Sequence, residues 1–304
     1  MNERHNNKPL ISVIINCFNG EKYLREALNS VTKQTYKNWE IIFWDNQSED
    51  KSAEIFKSYK DVRFKYYYAP KHSKILYEAK NYALAKAKGD FFAFLDVDDW
   101  WLPNKLEKQI PLFSDPKVGV VYGNFWNFYE KQNKTKIFKK KTLPTGMALK
   151  DLLRDYPIGS PTYVIRKKSM EKLNYHFNNH LHIIGDFDLI VRLSVYWKLN
   201  CVQSPIAHAR IHGKNIKYLH RNLEIDEMKI WYAEMKKNPI FSSLNELCQI
   251  KKYYMYLETM ETILKDRFSK SFFKVAKYPF CLKKLKLIIA LLLPKFALKR
   301  IKTY

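Results

Sequence analysis

Short apolar runs and longer amphipathic stretches alternate through the first 125 residues of the chain. Leu10-Ile11-Ser12-Val13-Ile14-Ile15-Asn16 has the apolar density of a buried strand, and Asn19-Gly20 marks a turn. From Glu21 to Lys33, Tyr23, Leu24, Ala27, Leu28 and Val31 recur at helical spacing. Trp39 to Trp44 predicts a second strand, ending at Asp45, and Ser48 to Tyr59 a helix with Ser48 as its N-cap. Val62 to Tyr68 reads as a third strand, Lys74 to Lys88 as a third helix and Phe91 to Leu95 as a fourth strand. Repeated βαβ units imply an α/β fold with a mostly parallel sheet and helices on both faces. Ligands of such sheets bind beyond the carboxyl ends of the strands. Asn16, Asp45 and Asp96 all fall at those ends, which predicts a nucleotide-type pocket there.

Farther on, Leu102-Pro103 opens another helix and Val118 to Tyr122 a strand. Gln132 to Thr145 is lysine-rich and aperiodic, the pattern of a mobile loop. Gly146 to Ile211 holds a helix (Met147 to Arg154), a short strand around Pro161 to Ile165 and a helix from Asp186. From Ile216 onward the pattern is helical. These shifts divide the chain into residues 1–215 and a basic helical region, 216–304. Within the first part, about 10–125 carries the strand-end pocket and about 146–215 forms a second half.

The stretch Phe91-Phe92-Ala93-Phe94-Leu95-Asp96-Val97-Asp98-Asp99 carries the strongest chemical signal, an apolar run ending in three carboxylates within four residues. Crowded carboxylates repel unless a cation sits among them, and hard divalent cations prefer oxygen ligands. On an extended backbone Asp96 and Asp98 project to one side. A solvated acidic turn is the alternative reading of such a pattern taken alone. No GxGxxG or GxxxxGK[ST] occurs, so metal and side chains, not a glycine loop, are expected to hold any phosphates.

Composition narrows the setting. The chain of 304 residues is long enough for a sizeable core, and its four cysteines lie far apart without a CxxC pair. That usage fits a reducing cytoplasm, and the polar N-terminus shows no signal peptide. A formal net charge of +24 implies polyanionic company. From Arg267 to Tyr304 there are eleven Lys or Arg and no Asp or Glu, interleaved with Phe, Leu and Ile. The apolar run Leu287 to Leu293 is shorter than the about 20 residues a membrane span needs. Such a tail suits an anionic membrane surface, a homodimer contact or packing on its own domain.

Five segments, in order, resemble glycosyltransferase family 2 with its GT-A nucleotide-diphospho-sugar transferase fold. They are Ser12 to Leu24; Ser30 to Tyr36 with Glu40 to Ser48; Ala79-Lys80-Asn81 before Gly89-Asp90; Leu95 to Glu107; and Gly185-Asp186-Phe187-Asp188-Leu189 leading into Arg192-Leu193. The likeness covers roughly residues 10–215. It implies that Asp45 accepts the imide N–H of uracil or thymine and that Asn16 and Phe18 frame the base. Asn19 and Val97 fall in the same donor-contacting segments. Lys80 stands where an arginine is frequent, near the nucleotide and its phosphates. Asp96 is implied near the ribose and Asp98, with Asp99 as the alternative, as ligand of Mn²⁺ or Mg²⁺. Asp186 is implied as general base, although Gly185 replaces the usual first member of an acidic pair. Asp188 would lend negative charge beside it. His208 to Asn215 resembles a further family segment, which implies His212 at the metal or pyrophosphate and Arg210 and Lys214 as added positive charge.

The expected reaction is inverting transfer of a sugar from a nucleotide sugar, UDP- or dTDP-linked by preference, to a hydroxyl of a saccharide or lipid-linked saccharide acceptor. The resemblance implies bacterial surface polysaccharide or lipooligosaccharide synthesis, at the inner face of the cytoplasmic membrane. A nucleotidyltransferase on a related sheet and a non-enzymatic polyanion-binding protein are the rivals. Against the first, the glycine-rich phosphate loop such enzymes usually show is absent here, and nucleic acid is not expected because no recognition motif occurs.

Overall fold

The computed structural model describes residues 8–265 and 269–293, and the chain divides into two compact units, residues 1–215 and 216–304. The tips of the basic tail, 266–268 and 294–304, lie outside the described residues, as do residues 1–7. In the first unit the chain runs β1 (Ile11–Cys17), α1 (Glu21–Thr32), β2 (Trp39–Asp45), α2 (Ser52–Lys57), β3 (Phe64–Tyr68), α3 (Leu76–Leu84) and β4 (Phe91–Phe94). It continues through β5 (Trp100–Trp101), α4 (Lys105–Gln109), β6 (Val118–Tyr129), β7 (Lys134–Ile137) and α5 (Leu149–Arg154). It closes with β8 (Val164–Arg166), α6 (Lys167–Met170), α7 (Gly185–Ser194) and β9 (Lys198–Ile211).

Among the described residues nine strands form one sheet, ordered β3-β2-β1-β4-β8-β6-β9-β5, with β7 paired to β6. The parallel part is β3-β2-β1-β4; β8 joins β4 and β6 antiparallel, and β9 runs parallel to β6. The sheet is therefore mixed, parallel where the βαβ pattern was readable. Every residue of β2 is buried, as expected of a strand flanked by parallel neighbours on both sides. Leu24, Ala27, Leu28 and Val31 of α1 pack into the core beside Val13, Ile15 and Phe43.

Three departures from the sequence expectation have local causes. The second helix starts at Ser52, not Ser48, because Ser48 belongs to the preceding loop. Its N–H donates to Asp45 Oδ1 at 2.8 Å and its hydroxyl accepts from Asn19 N at 3.0 Å. Part of the lysine-rich segment is not a loop but β7, paired antiparallel with Trp126 to Tyr129. Lysines there suit the exposed edge of a sheet, where charge opposes unwanted pairing. The fourteen-residue β9 was not readable because Asn200, Gln203, Ser204 and Pro205 interrupt its apolar pattern.

A buried network fixes the starts of β1, β2 and β4. Ser12 Oγ donates to Glu40 Oε1 at 2.6 Å, Lys88 N donates to the same oxygen at 2.9 Å, and Gly89 N donates to Ser12 Oγ at 2.8 Å. A Cβ at Gly89 would lie 2.6 Å from Ser12 N and 2.7 Å from Leu10 O, so only glycine lets these backbones approach.

The second unit comprises α8 (Ile216–Leu219), α9 (Arg221–Met235), α10 (Pro239–Ser242), α11 (Leu247–Lys265), α12 (Ser269–Lys277) and α13 (Leu282–Leu292). Buried Glu224 of α9 accepts from Arg221 at 2.6 Å and from Tyr253 of α11 at 2.8 Å. Ile263, Val275, Tyr278, Leu287 and Ala290 form a small core joining α11, α12 and α13. Among the described residues no helix is long and apolar enough to cross a membrane.

Glu40→Ala should leave the Ser12 hydroxyl and the Lys88 N–H without their acceptor inside the protein. The expected cost is ~1–3 kcal/mol of stability, read as a lowered Tm, with nucleotide affinity unchanged because the network lies at the opposite end of the strands from the pocket.

Candidate active site

The carboxyl ends of β1, β2 and β4 open on one edge. Asp45, last in β2, is fully buried, and its Oδ2 accepts from Tyr66 OH at 2.6 Å while Oδ1 accepts from Ser48 N. Burial, then the bond to Asp45, raises the Tyr66 phenol above its ordinary pKa and keeps it a donor. Each Asp45 oxygen retains a lone pair. Asn16, at the end of β1, has both amide atoms buried with no hydrogen-bond partner among the described residues. Beside it Phe18 is half-exposed with its ring 4.6 Å from that of His72. Asn46 anchors this second loop by exchanging bonds of 2.9 Å with Ser73. Asn19 is a loop clamp: at φ +53 its backbone N donates to Ser48 Oγ and its Oδ1 accepts from Glu49 N at 2.8 Å. Val97 packs against the core and would touch a side chain at Gly20.

The three carboxylates after β4 take different directions. Asp99 turns inward; its N donates to Asp96 O at 3.1 Å and its Oδ1 accepts from Arg210 N at 2.8 Å. Burial, then the charges of Asp98 and Asp96, push its carboxyl well above the usual carboxylate range. Asp98 faces the His212–Asn215 turn instead. Its Oδ2 lies 2.9 Å from His212 Nε2 and 3.3 Å from Asn215 Nδ2, while Oδ1 has no partner among the described residues. His212 Nδ1 accepts from Lys214 N at 3.1 Å, and a backbone N–H can only donate. The ring proton of a neutral His212 is therefore on Nε2, pointing at Asp98.

Arg210, expected from the sequence as added positive charge, has its guanidinium committed inside the protein. Its guanidinium is buried among Tyr23, Trp100 and Phe128, ion-paired to Glu26 and bonded to the Asp98 carbonyl at 2.9 Å. It is the strut that holds the acidic turn. The Lys214 side chain is exposed, and its backbone N–H orients His212.

Across the edge, α3 and α7 meet at Lys80. Its ammonium lies 3.6 Å from Asp96 Oδ1 and 3.4 Å from Asp186 Oδ1, with the rings of Tyr77, Phe94 and Phe177 5.2–5.8 Å away. Burial disfavours the charged amine, but the two carboxylates outweigh it and raise its pKa. Asp186 Oδ1 also accepts from Tyr163 OH at 2.5 Å, leaving Oδ2 without a partner among the described residues. Tyr163, unforeseen in the sequence, is a single tyrosine ahead of a short strand with no spacing to mark it.

Asp188 faces elsewhere. Two positions along a helix is a rotation of about 200° from Asp186, and Asp188 Oδ2 accepts from Arg192 Nε at 2.9 Å and Nη2 at 2.7 Å. The same guanidinium donates to Tyr175 O at 2.9 Å, so this pair braces the preceding segment. Gly185 also has a steric reason: a Cβ there would lie 2.4 Å from the Tyr77 ring. Tyr77 occupies the room that an acidic side chain at 185 would need.

For a divalent cation, Asp98 Oδ1 is an open oxygen donor, and Asp96 Oδ2 likewise has no partner among the described residues. Those residues contain no cluster of three or more His, Cys, Asp or Glu arranged for a metal. The set fits an ion held by one or two carboxylates and completed by substrate phosphates and water. His212 fits less directly, since binding at Nε2 would move its proton to Nδ1 and break the Lys214 bond.

The family model described as glycosyl transferase family 2 matches residues 12–174, more than half of the chain. The chain belongs to that family. It is 34% identical over 168 residues to the UDP-Glc:alpha-D-GlcNAc-diphosphoundecaprenol beta-1,3-glucosyltransferase WfgD of Escherichia coli. That match takes in 55% of this chain and 64% of the relative, so less than two thirds of the relative's length is spanned. S. aureus TarS 1-349 in complex with UDP-GlcNAc superposes with a TM-score of 0.62 at 18% identity, over 92% of this chain and 79% of that one. The mannosyltransferase PcManGT from Pyrobaculum calidifontis, in complex with GDP-Man and Mn2+, gives 0.63 at 14% identity, over 98% and 85%. These two likenesses establish the GT-A fold of this family 2 glycosyltransferase.

A methyl at 185 should test the Tyr77 contact. Alanine normally favours a helix over glycine, yet Gly185→Ala is expected to cost ~1–3 kcal/mol by overpacking against the ring. On a Tyr77→Leu background the cost should shrink, as a double-mutant cycle of thermal or urea unfolding will read.

Proposed function

We propose that the protein transfers one sugar from a UDP- or dTDP-sugar to a hydroxyl of a lipid-linked saccharide in bacterial surface-polysaccharide synthesis, with inversion at the anomeric carbon. The observation that carries this reading is the single ammonium of Lys80 shared by Asp96, on the donor side, and Asp186. It puts a carboxylate with an open oxygen next to the donor carboxylates, as a one-step displacement requires.

In this reading the orphaned amide of Asn16 and the remaining lone pairs of Asp45 meet the base, with Phe18 and His72 flanking it. Asp96 faces the ribose and Asp98 holds the cation, Mn²⁺ or Mg²⁺, while buried Asp99 sets the turn. When bound, the cation neutralises charge on the departing diphosphate. Asp186 Oδ2 takes the acceptor's proton as its oxygen bonds to the anomeric carbon and the bond to the diphosphate breaks. Tyr163 and Lys80 grip Oδ1 and so aim Oδ2. The relative named for a diphosphoundecaprenol-linked GlcNAc acceptor supports a lipid-linked acceptor for this chain. An enzyme using it would work at the inner face of the cytoplasmic membrane.

Calorimetry with UDP, dTDP, GDP and CMP, each with Mn²⁺ and with EDTA, tests the donor half. Metal-dependent binding of UDP or dTDP that disappears in Asp98→Ala is the expected outcome. Binding that ignores metal would remove Asp98 from the role of cation ligand, and salt-sensitive binding of any polyanion without nucleotide preference would overturn the donor assignment. For the other half, Asp186→Asn should lower kcat by roughly 10²–10⁴-fold with donor affinity unchanged. A donor affinity that falls in step with kcat would remove Asp186 from the role of base.

A further inference from the structure

The pair α12–α13 carries two apolar faces where its packing needs one. Val275, Leu287 and Ala290 point into the small core with α11. On the other side of α13, Leu282, Leu285, Ile289 and Leu292 follow one another at spacings of 3, 4 and 3 and are all exposed. Phe272 and Phe273 of α12 and Phe280 in the connection are exposed as well, Phe280 to 96%. So many exposed leucines and phenylalanines on one pair of short helices are unusual unless something covers them.

The accompanying charges say what covers them. Lys277 and Lys286 are exposed on the same two helices, and neither α12 nor α13 contains an acidic residue. A second copy seated on the same stripe would bring lysine against lysine with no carboxylate to pair. An anionic bilayer surface satisfies both features, taking the rings and leucines among its acyl chains and the ammonium groups at its headgroups. Glu258 of α11 holds Lys274 at 3.2 Å, fixing α12 so that its phenylalanines face outward together.

We infer that the α12–α13 hairpin is a monotopic docking surface for anionic lipid, inserting Phe272, Phe273, Phe280, Leu285 and Leu292. It deepens the lipid-linked acceptor reading, and vesicle binding is read without turnover, so either can fail alone. The test is co-sedimentation of the full chain with vesicles of phosphatidylcholine alone and of phosphatidylcholine mixed with phosphatidylglycerol. Wild type should partition onto the anionic vesicles and lose that partition as salt is added. Phe272→Ser/Phe273→Ser/Phe280→Ser, and separately Leu285→Ser/Leu292→Ser, should each weaken it by about tenfold or more. Unchanged UDP affinity in both variants reports an intact fold. A wild type that ignores anionic vesicles, or variants that bind as well as wild type, would overturn the inference. Loss of a wild-type dimer in the variants, without vesicle binding by either, would assign the face to a second copy instead.

Discussion

A buried ammonium between two carboxylates is the interaction on which the site depends. Acidic groups gathered at a strand end repel one another and resist burial, and one cation delivered from the neighbouring helix relieves both costs. Lys80 does so from a buried position, and the charges of Asp186 and Asp96 outweigh the cost of its burial and raise its pKa. An arginine would offer a planar fork; a lysine offers a point charge that sits equally well between two partners at different angles.

Around that pair the chain builds supports rather than ligands. Arg210 is surrounded by three aromatic rings and bonded to Glu26, the Asp98 carbonyl and, through its backbone, Asp99. Arg192 performs a similar service for the segment before α7. Charged residues next to a catalytic motif thus divide into those that face the pocket and those that stiffen its walls, and burial with complete hydrogen bonding marks the second kind.

The parallel half of the fold was legible because buried parallel strands concentrate apolar residues into runs, as in β1 and β2, and α1 repeats them at helical spacing. The half beyond β4 was less so, since β9 is interrupted by polar residues and β7 is a charged edge. At the site, Asn16, Asp45 and Asp96 could be picked out in advance because polar residues at strand ends stand out against apolar runs. Lys80 and Asp186, both on helices, were named only through the family resemblance. Their directions could not be named in advance. Nothing in Asp96-Val97-Asp98-Asp99 says that Asp99 turns inward, and the closeness of Asp186 and Asp188 in sequence hides a half-turn of helix between them. Tyr163 and Tyr77 left no trace, because a tyrosine in an apolar context reads as core until its hydroxyl or its ring edge is seen against a partner.

The contact between Tyr77 and Gly185 bears on how such enzymes are recombined. Helices α3 and α7 lie about a hundred residues apart in the chain, and they are joined by a ring filling a missing side chain as well as by an ion pair. A chimera taking α3 from this chain and α7 from a protein with glutamate at the position of Gly185 would set that glutamate against the tyrosine. The two helices are matched parts, and exchanging either one means carrying positions 77, 80, 185 and 186 across the junction together.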